Sequence, residues 1–445
     1  MRFGLGTGLV VFITLWFPLA AQAQRKLLPV PAPYVRANPG TKTLRLQNGR
    51  WFDGRQFRAR TFYVVAGLLQ QHRPAHIDSV VDLAGQWVVP AFGDAHNHAV
   101  DQQWKASESI TQYLTDGIFY LKNPNNIPRY TAPLAPLLNR PGSLDVTYSG
   151  GGITASGGHP IPLYEALVAR GVYQIPPDQL NGQAYHTLDS LAQWPAVWRR
   201  VAAGQPDFVK LYLLFSDRYG QPHDTTKATS AGLNPRLLPE LVGRIHAQGL
   251  PVAVHLETAA DFAVALQAGV DEINHMPGYY WDKHLRAADY CLTPALAQQC
   301  ARQGTRVVTT TFLTHEQYAT GQDTLQRQLI QQLQRENLSC LYRAGVQLSL
   351  GSDTYGQTAR AEMLNLLRLR VFDNATLLRL WAENTPQAVF PGRRIGRLRQ
   401  GYEANLLVLG QNPLTNDFAT ATADIRLRIK QGQILRLPSP PPQKL

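Results

Sequence analysis

The sequence predicts an α/β protein, a TIM-like (β/α)8 barrel joined to a small β-sandwich domain built from both chain ends. Three observations predict it. Between residues 87 and 351, eight short apolar runs are separated by helical patterns. Short alternating segments bounded by turn residues come both before and after that stretch. The first apolar run leads straight into two histidines one residue apart, and polar residues close several of the later runs.

In chain order, Arg2, the apolar run from Leu9 to Ala20 and then Ala21-Gln22-Ala23 mark residues 1–23 as a cleavable signal peptide. That run is short for a membrane span, and no later stretch of about 18 apolar residues occurs, so no integral span is expected. The mature chain is expected in the periplasm or secreted. With 44% hydrophobic and 17% charged residues, the composition is globular and excludes disordered and fibrous classes. The formal net charge is +12, but lysines and arginines are scattered, so no nucleic-acid partner is expected. The three cysteines make no disulfide framework or zinc motif, although Cys291 and Cys300 are close enough in sequence to bridge in an oxidising compartment.

Residues 24–87 carry short alternating segments such as Arg60-Thr61-Phe62-Tyr63-Val64-Val65, as in a small antiparallel sheet. The same texture returns over 393–436, for example in Asn405-Leu406-Leu407-Val408-Leu409, so the two ends are expected to build one domain. Residues 437–445 form a proline-rich tail without core-forming side chains. Between them, residues 88–392 hold the barrel. Its strands are expected at 87–93, 117–121, 145–149, 208–213, 251–255, 272–275, 306–310 and 346–351. Most are continuous apolar runs, as in strands buried on both faces of a parallel sheet. Helices are expected at 239–248 and 259–268. The long stretch 150–205 should place extra loop or helix over the barrel mouth.

Side chains alternate along a strand, so His96 and His98 project one way and Asn97 the other. Two adjacent imidazoles can reach one metal ion. Lys210 stands inside the apolar strand Phe208-Val209-Lys210-Leu211, His255 and His275 end the fifth and sixth strands, and Asp353 follows the eighth. Singly, the histidines also fit hydrogen-bonded core residues, Asp353 a helix N-cap and Lys210 a snorkelling side chain. Together, at the C-terminal strand ends of a barrel, they converge on one site. Zinc fits this nitrogen-rich donor set, with manganese, iron and cobalt also compatible.

Val81-Asp82-Leu83-Ala84-Gly85-Gln86-Trp87-Val88-Val89-Pro90, followed by Asp94-Ala95-His96-Asn97-His98, resembles the entry to the first barrel strand in the amidohydrolase superfamily. Gly396-Arg397-Leu398-Arg399-Gln400-Gly401-Tyr402-Glu403-Ala404-Asn405 resembles that family's return into the β domain, with Asn405 in place of the usual Asp. Ala91 stands where the family usually has Gly. The resemblance implies that His96, His98, His255, His275 and Asp353 ligate one or two divalent metals, and that Lys210 is carboxylated and bridges them. Within the superfamily the chain looks most similar to the prolidase-like dipeptidase branch, on its Asp207-Phe208-Val209-Lys210 and Gly157-Gly158-His159 segments. His159 is then a candidate contact to the tetrahedral intermediate. The implied activity is hydrolysis of an amide or peptide-like C–N bond in a small-molecule substrate, a peptide or N-acyl amine. Asp353 serves as general base and then general acid.

Three rivals share the scaffold. A mononuclear deaminase of heterocyclic amines would use Glu257 as its proton donor. A lactonase or phosphoesterase would use the same centre on another electrophile. A non-catalytic binding protein would have lost at least one of the six ligand positions, and all are present. Substrate contacts are expected in the loops after the strands, among Trp104, Tyr130, Tyr279, Tyr280 and Trp281, with Arg218 or Lys227 clamping a carboxylate. A homo-oligomer is compatible with the sequence.

Overall fold

The computed structural model describes residues 27–221, 231–282, 284–317 and 324–437. The expected signal peptide, residues 438–445 of the tail, and Lys227 lie outside them. Both chain ends enter one sheet of eight strands, which runs in the order Gln433–Ile434, Ile425–Lys430, Leu406–Leu409, Trp87–Pro90, Leu44–Phe52, Phe57–Val65 and Leu68–Gln70, with Ser79–Asp82 beside Leu44–Phe52. The hairpin between Leu44–Phe52 and Phe57–Val65 turns on Asp53, whose Oδ1 accepts the Arg55 and Gln56 amides at 3.0 Å each. Leu44, Leu46, Phe62, Val64, Leu406, Val408 and Ile429 form this sheet's own core.

The strands expected as a β-sandwich form a separate β unit, hydrogen-bonded in one continuous ladder around a shared core. Leu44–Phe52 shifts register against Phe57–Val65 between Leu46 and Gly49, and its other edge is shared by two parallel partners. Before that shift the strand pairs with Ser79–Asp82, and after it with Trp87–Pro90.

The run expected as one strand at 87–93 also differs. Trp87–Pro90 pairs antiparallel with Leu406–Leu409, and the Ala91 amide still donates to Asn405 O at 3.2 Å. Phe92–Asp94 then begins a separate parallel sheet with Ile118–Asn123 and Asp145–Tyr148. A second parallel sheet follows the order Tyr185–Thr187, Gly152–Thr154, Val209–Tyr212, Val252–His255, Glu272–Asn274, Arg306–Val308 and Leu348–Ser349. Backbone hydrogen bonds join the three-stranded sheet, at both of its edges, to the seven-stranded one. On one side the Asp207 amide donates to Tyr148 O at 2.8 Å. On the other, the Ala95 amide donates to Leu350 O and the Asp353 amide to His96 O, both at 2.8 Å.

The helices expected at 239–248 and 259–268 are Leu238–His246 and Ala259–Ala268. The second is set by a capping box of Thr258 and Asp261 and ends at Gly269, whose φ of +79° suits the left-handed C-terminal position. Within 150–205, the helix Ile161–Ala169 packs with Ile127, Tyr173, Ile175 and Tyr185 into a small core of its own. All three cysteines are free thiols, with Cys300 buried and Cys291 exposed. Among the described residues, no helix is long and apolar enough to cross a membrane.

A buried ion network ties the outer sheet to the parallel strands. Arg393 is bidentate to Glu403 at 2.7 Å through Nε and Nη2, and its Nη1 reaches Asp145 Oδ2 at 2.7 Å. Lys430 Nζ donates to Asp145 Oδ1 at 2.7 Å. Burial alone would raise the Asp145 pKa, but Lys430 and Arg393 outweigh it and hold the carboxyl below its usual range. Arg393→Met leaves two buried carboxylates short of a partner, so we expect a loss of about 3–5 kcal/mol of stability in denaturant unfolding. A change below about 1 kcal/mol would show that the network is not what joins the layers.

Candidate metal centre

His96 and His98 lie just beyond the strand Phe92–Asp94, in a segment clamped from below. Asp94 accepts the His96 amide at 3.2 Å, the Ser352 hydroxyl at 2.8 Å and the Tyr113 hydroxyl at 3.1 Å. Asn97 faces away from the histidines, and its Nδ2 donates to Ser352 Oγ at 2.7 Å. These bonds fix the first and last strand ends against each other. His275 and Asp353 both hold left-handed backbone, at φ +74° and +47°. Such conformations cost about 1–3 kcal/mol each and concentrate at functional sites. Asp353 is no helix cap, since Thr358 caps the following helix.

All six candidate ligands and His159 line one cavity of about 250 Å³. His96 Nε2 and His98 Nε2 each lie 3.3 Å from Asp353 Oδ1, and His275 Nε2 lies 3.8 Å from Oδ2. Donor atoms of His96, His275 and Asp353 fall within 4.8 Å of one another. His255 packs edge-on against His275, with ring centres 4.6 Å apart, and stacks on His159 at 4.8 Å.

The proton positions bear on whether this set suits a cation. His98 Nδ1 is 3.1 Å from Asn125 O, which can only accept, so Nδ1 carries the hydrogen. In a neutral ring the Nε2 lone pair then faces the Asp353 carboxylate. A positive charge between these two groups makes so short a contact favourable, and either a proton or a divalent metal on Nε2 supplies it. His96 Nδ1 is buried without a hydrogen-bond partner, while His275 Nδ1 is held by Thr310 Oγ1 at 2.8 Å. His255 Nε2 lies 3.0 Å from Glu257 Oε1, which leaves Nδ1 as its other donor atom.

Burial pushes His96 down to about 4 and pulls His255 and His275 well below the usual imidazole range, which favours the neutral ligand form. Burial also lowers His98, but the Asp353 hydrogen bond and the Asp101 carboxylate raise it above its ordinary value. For Asp353 burial acts upward, and His96 with the neighbouring imidazoles outweighs it, so the carboxyl stays ionised.

Lys210 is buried in the strand Val209–Tyr212 and does not snorkel. Its Nζ donates to Asn274 Oδ1 at 2.5 Å, Asn274 Nδ2 donates to Glu272 Oε1 at 2.9 Å, and Glu272 pairs with Lys122 at 2.8 Å. Two buried lysines therefore share one glutamate, which lies against Lys122. Lys210 has a neutral amide as its acceptor, and burial pushes it down to about 7.

Other expected contacts are placed elsewhere. Arg218 does not line the cavity, because its guanidinium is drawn to Asp289 at 3.0 Å. Glu257 is not in the lining either, being held by His255 and by the Tyr279 hydroxyl at 2.8 Å. Trp281 packs into a core cluster, Tyr130 packs against another, and Trp104 is 72% exposed. Tyr279 and Tyr280 do line the cavity. Tyr164, Tyr212 and Tyr355 line it too. Tyr212 follows Lys210 by two residues and so shares its strand face, a signal the sequence carries. Tyr164 comes from the inserted helix, whose docking nothing local specifies.

The amidohydrolase family model matches residues 164–435. Among solved structures, the chain is similar to a prolidase complexed with N-methylphosphonate-L-proline, at 17% identity and TM-score 0.67, covering 89% of this chain and 100% of that one. It is similar to A. niger ochratoxinase at 17% identity and TM-score 0.69, covering 89% and 96%. A Xaa-Pro dipeptidase with bound methionine gives 16% identity and TM-score 0.65, covering 88% and 99%. Among curated protein sequences no relative matches the chain.

Proposed function

The chain belongs to the amidohydrolase family and is a hydrolase acting on carbon–nitrogen bonds, and from that premise we propose an exported, metal-dependent enzyme of the prolidase-like branch. The three-stranded parallel sheet, hydrogen-bonded on both sides to the seven-stranded one, supports a closed (β/α)8 barrel within 88–392. The single observation that carries the reading is the convergence of four histidines, Lys210 and Asp353 on one cavity, with nitrogens of His96, His98 and His275 at 3.3, 3.3 and 3.8 Å from the Asp353 carboxylate. His96, His98, His255, His275 and Asp353 would hold zinc or a similar divalent ion. A carboxylated Lys210 would bridge a second one.

When bound, the metal acidifies a water and polarises the substrate carbonyl. The chain's own residues do the rest. Asp353, kept ionised by its histidines, takes the proton of the attacking water and returns it to the leaving amine. His159, stacked on His255, donates to the tetrahedral oxygen. Asn274 accepts the remaining N–H of a carboxylated Lys210, and the Glu272–Lys122 pair holds its amide in the orientation that does so. The location of Glu257 outside the lining weighs against the deaminase. The signal-peptide pattern of residues 1–23 supports export.

Removing divalent ions with a chelator should abolish hydrolysis of N-acyl amino acids, and adding zinc, manganese or cobalt should restore it. Full turnover in protein stripped of metal would contradict the proposal.

A further inference from the structure

We infer that the substrate of this site carries an uncharged, apolar group of about ring size on one side of its scissile amide, seated on a greasy rim at the cavity mouth. The inference rests on the hydrolytic reading and names its substrate class. The cavity has two chemically distinct levels. Its floor holds the histidines, Lys210 and Asp353. Its upper lining includes Leu163 and Leu167 from the helix Ile161–Ala169, together with Leu313, Tyr280 and Tyr355. Three of these are left open to solvent, with Tyr355 64% exposed, Leu163 41% and Tyr280 39%. Large apolar side chains scattered singly over a surface need no explanation, whereas three converging on one mouth mark a binding surface. Tyr355 lies above the floor, its ring centre 6.2 Å from that of His98.

Charge points the same way. Among the described lining residues, the only lysine and the only carboxylate are Lys210 and Asp353, both committed to the metal centre. Of the two sequence candidates for a carboxylate clamp, Arg218 is paired with Asp289, and Lys227 lies outside the described residues. A dipeptide brings a free ammonium and a free carboxylate that would be desolvated against leucine and tyrosine. An acyl or aryl group would instead cover the exposed rim. The cavity, rim included, is about 250 Å³, below the roughly 300–1,000 Å³ of drug-sized sites, which limits the apolar group to about ring size.

The test measures kcat/KM on the metal-loaded full chain for one amine carrying acetyl, butanoyl, hexanoyl and benzoyl groups, beside Ala-Pro and Gly-Phe. The expected result is a rise along the acyl series, up to roughly fourfold per methylene buried, with both dipeptides below the benzoyl amide. In Leu163→Glu and Tyr355→Ser, both at exposed positions, the benzoyl-to-acetyl ratio should fall at least tenfold through KM, with metal content kept. A flat acyl series, dipeptides as the best substrates, or a ratio unmoved in both variants would overturn the inference and leave the hydrolytic reading standing. If no amide were turned over, the hydrolytic reading would fail. Calorimetric binding of the same amides would then still decide the inference, with tighter binding along the series supporting it and equal binding overturning it.

Discussion

Lys210→Ala should cut the metal content from two ions per chain to one or fewer and lower kcat/KM by at least about 100-fold, the upper end of what removing even an outer metal partner does. The expectation follows from charge. In the interior, Glu272 is engaged by Lys122 at 2.8 Å, so Lys210 has a neutral amide to bond and no carboxylate of its own. A buried ammonium without a counter-ion is costly. Carboxylation of that amine would remove the buried cation and supply an anionic oxygen donor to the cavity. Alanine removes the ligand and leaves Asn274 without its donor. Elemental analysis and kinetics on the same preparation check the result. Unchanged metal content would mean that Lys210 is not a bridge, and weight would move to a mononuclear centre.

Asp353→Asn should separate metal binding from turnover. The substitution keeps shape and an oxygen donor, so much of the metal should remain, while the group that accepts and returns the proton is gone. General acid–base catalysis is worth about 10²–10⁴-fold, and the loss in kcat should fall in that range. The amide also removes the negative charge that faces three histidines at 3.3, 3.3 and 3.8 Å. Their protonation should therefore fall, and binding of the remaining metal should become less sensitive to acid. Wild-type kcat in this variant would contradict the role given to Asp353.

That His96, His98, Lys210, His255, His275 and Asp353 gather on one cavity was legible because these residues break local rules. A lysine in the middle of an apolar strand needs a chemical reason, and His255, His275 and Asp353 each follow a buried run whose ends converge in a parallel α/β fold. The left-handed backbone at His275 and Asp353 was not legible, since neither residue type announces it. The partners of distant strands were also hidden. That Leu44–Phe52 shares one edge between two parallel partners, and that one apolar run is divided between two sheets, depends on register with segments far along the chain. Arg218 misled for a similar reason, because its position suggested a substrate clamp while its partner Asp289 lies 71 residues away. The cavity rim was visible only in part, as Leu163 and Tyr164 reach it through the packing of an inserted helix.

The most direct test of the account is the number of metal ions per chain in wild-type protein prepared without chelators, with and without added bicarbonate, measured by inductively coupled plasma mass spectrometry. The account predicts about two ions per chain when bicarbonate is supplied and a clear drop when carbon dioxide is excluded, because the bridging ligand on Lys210 must be made from it. One ion per chain under both conditions would contradict the carboxylated-lysine centre.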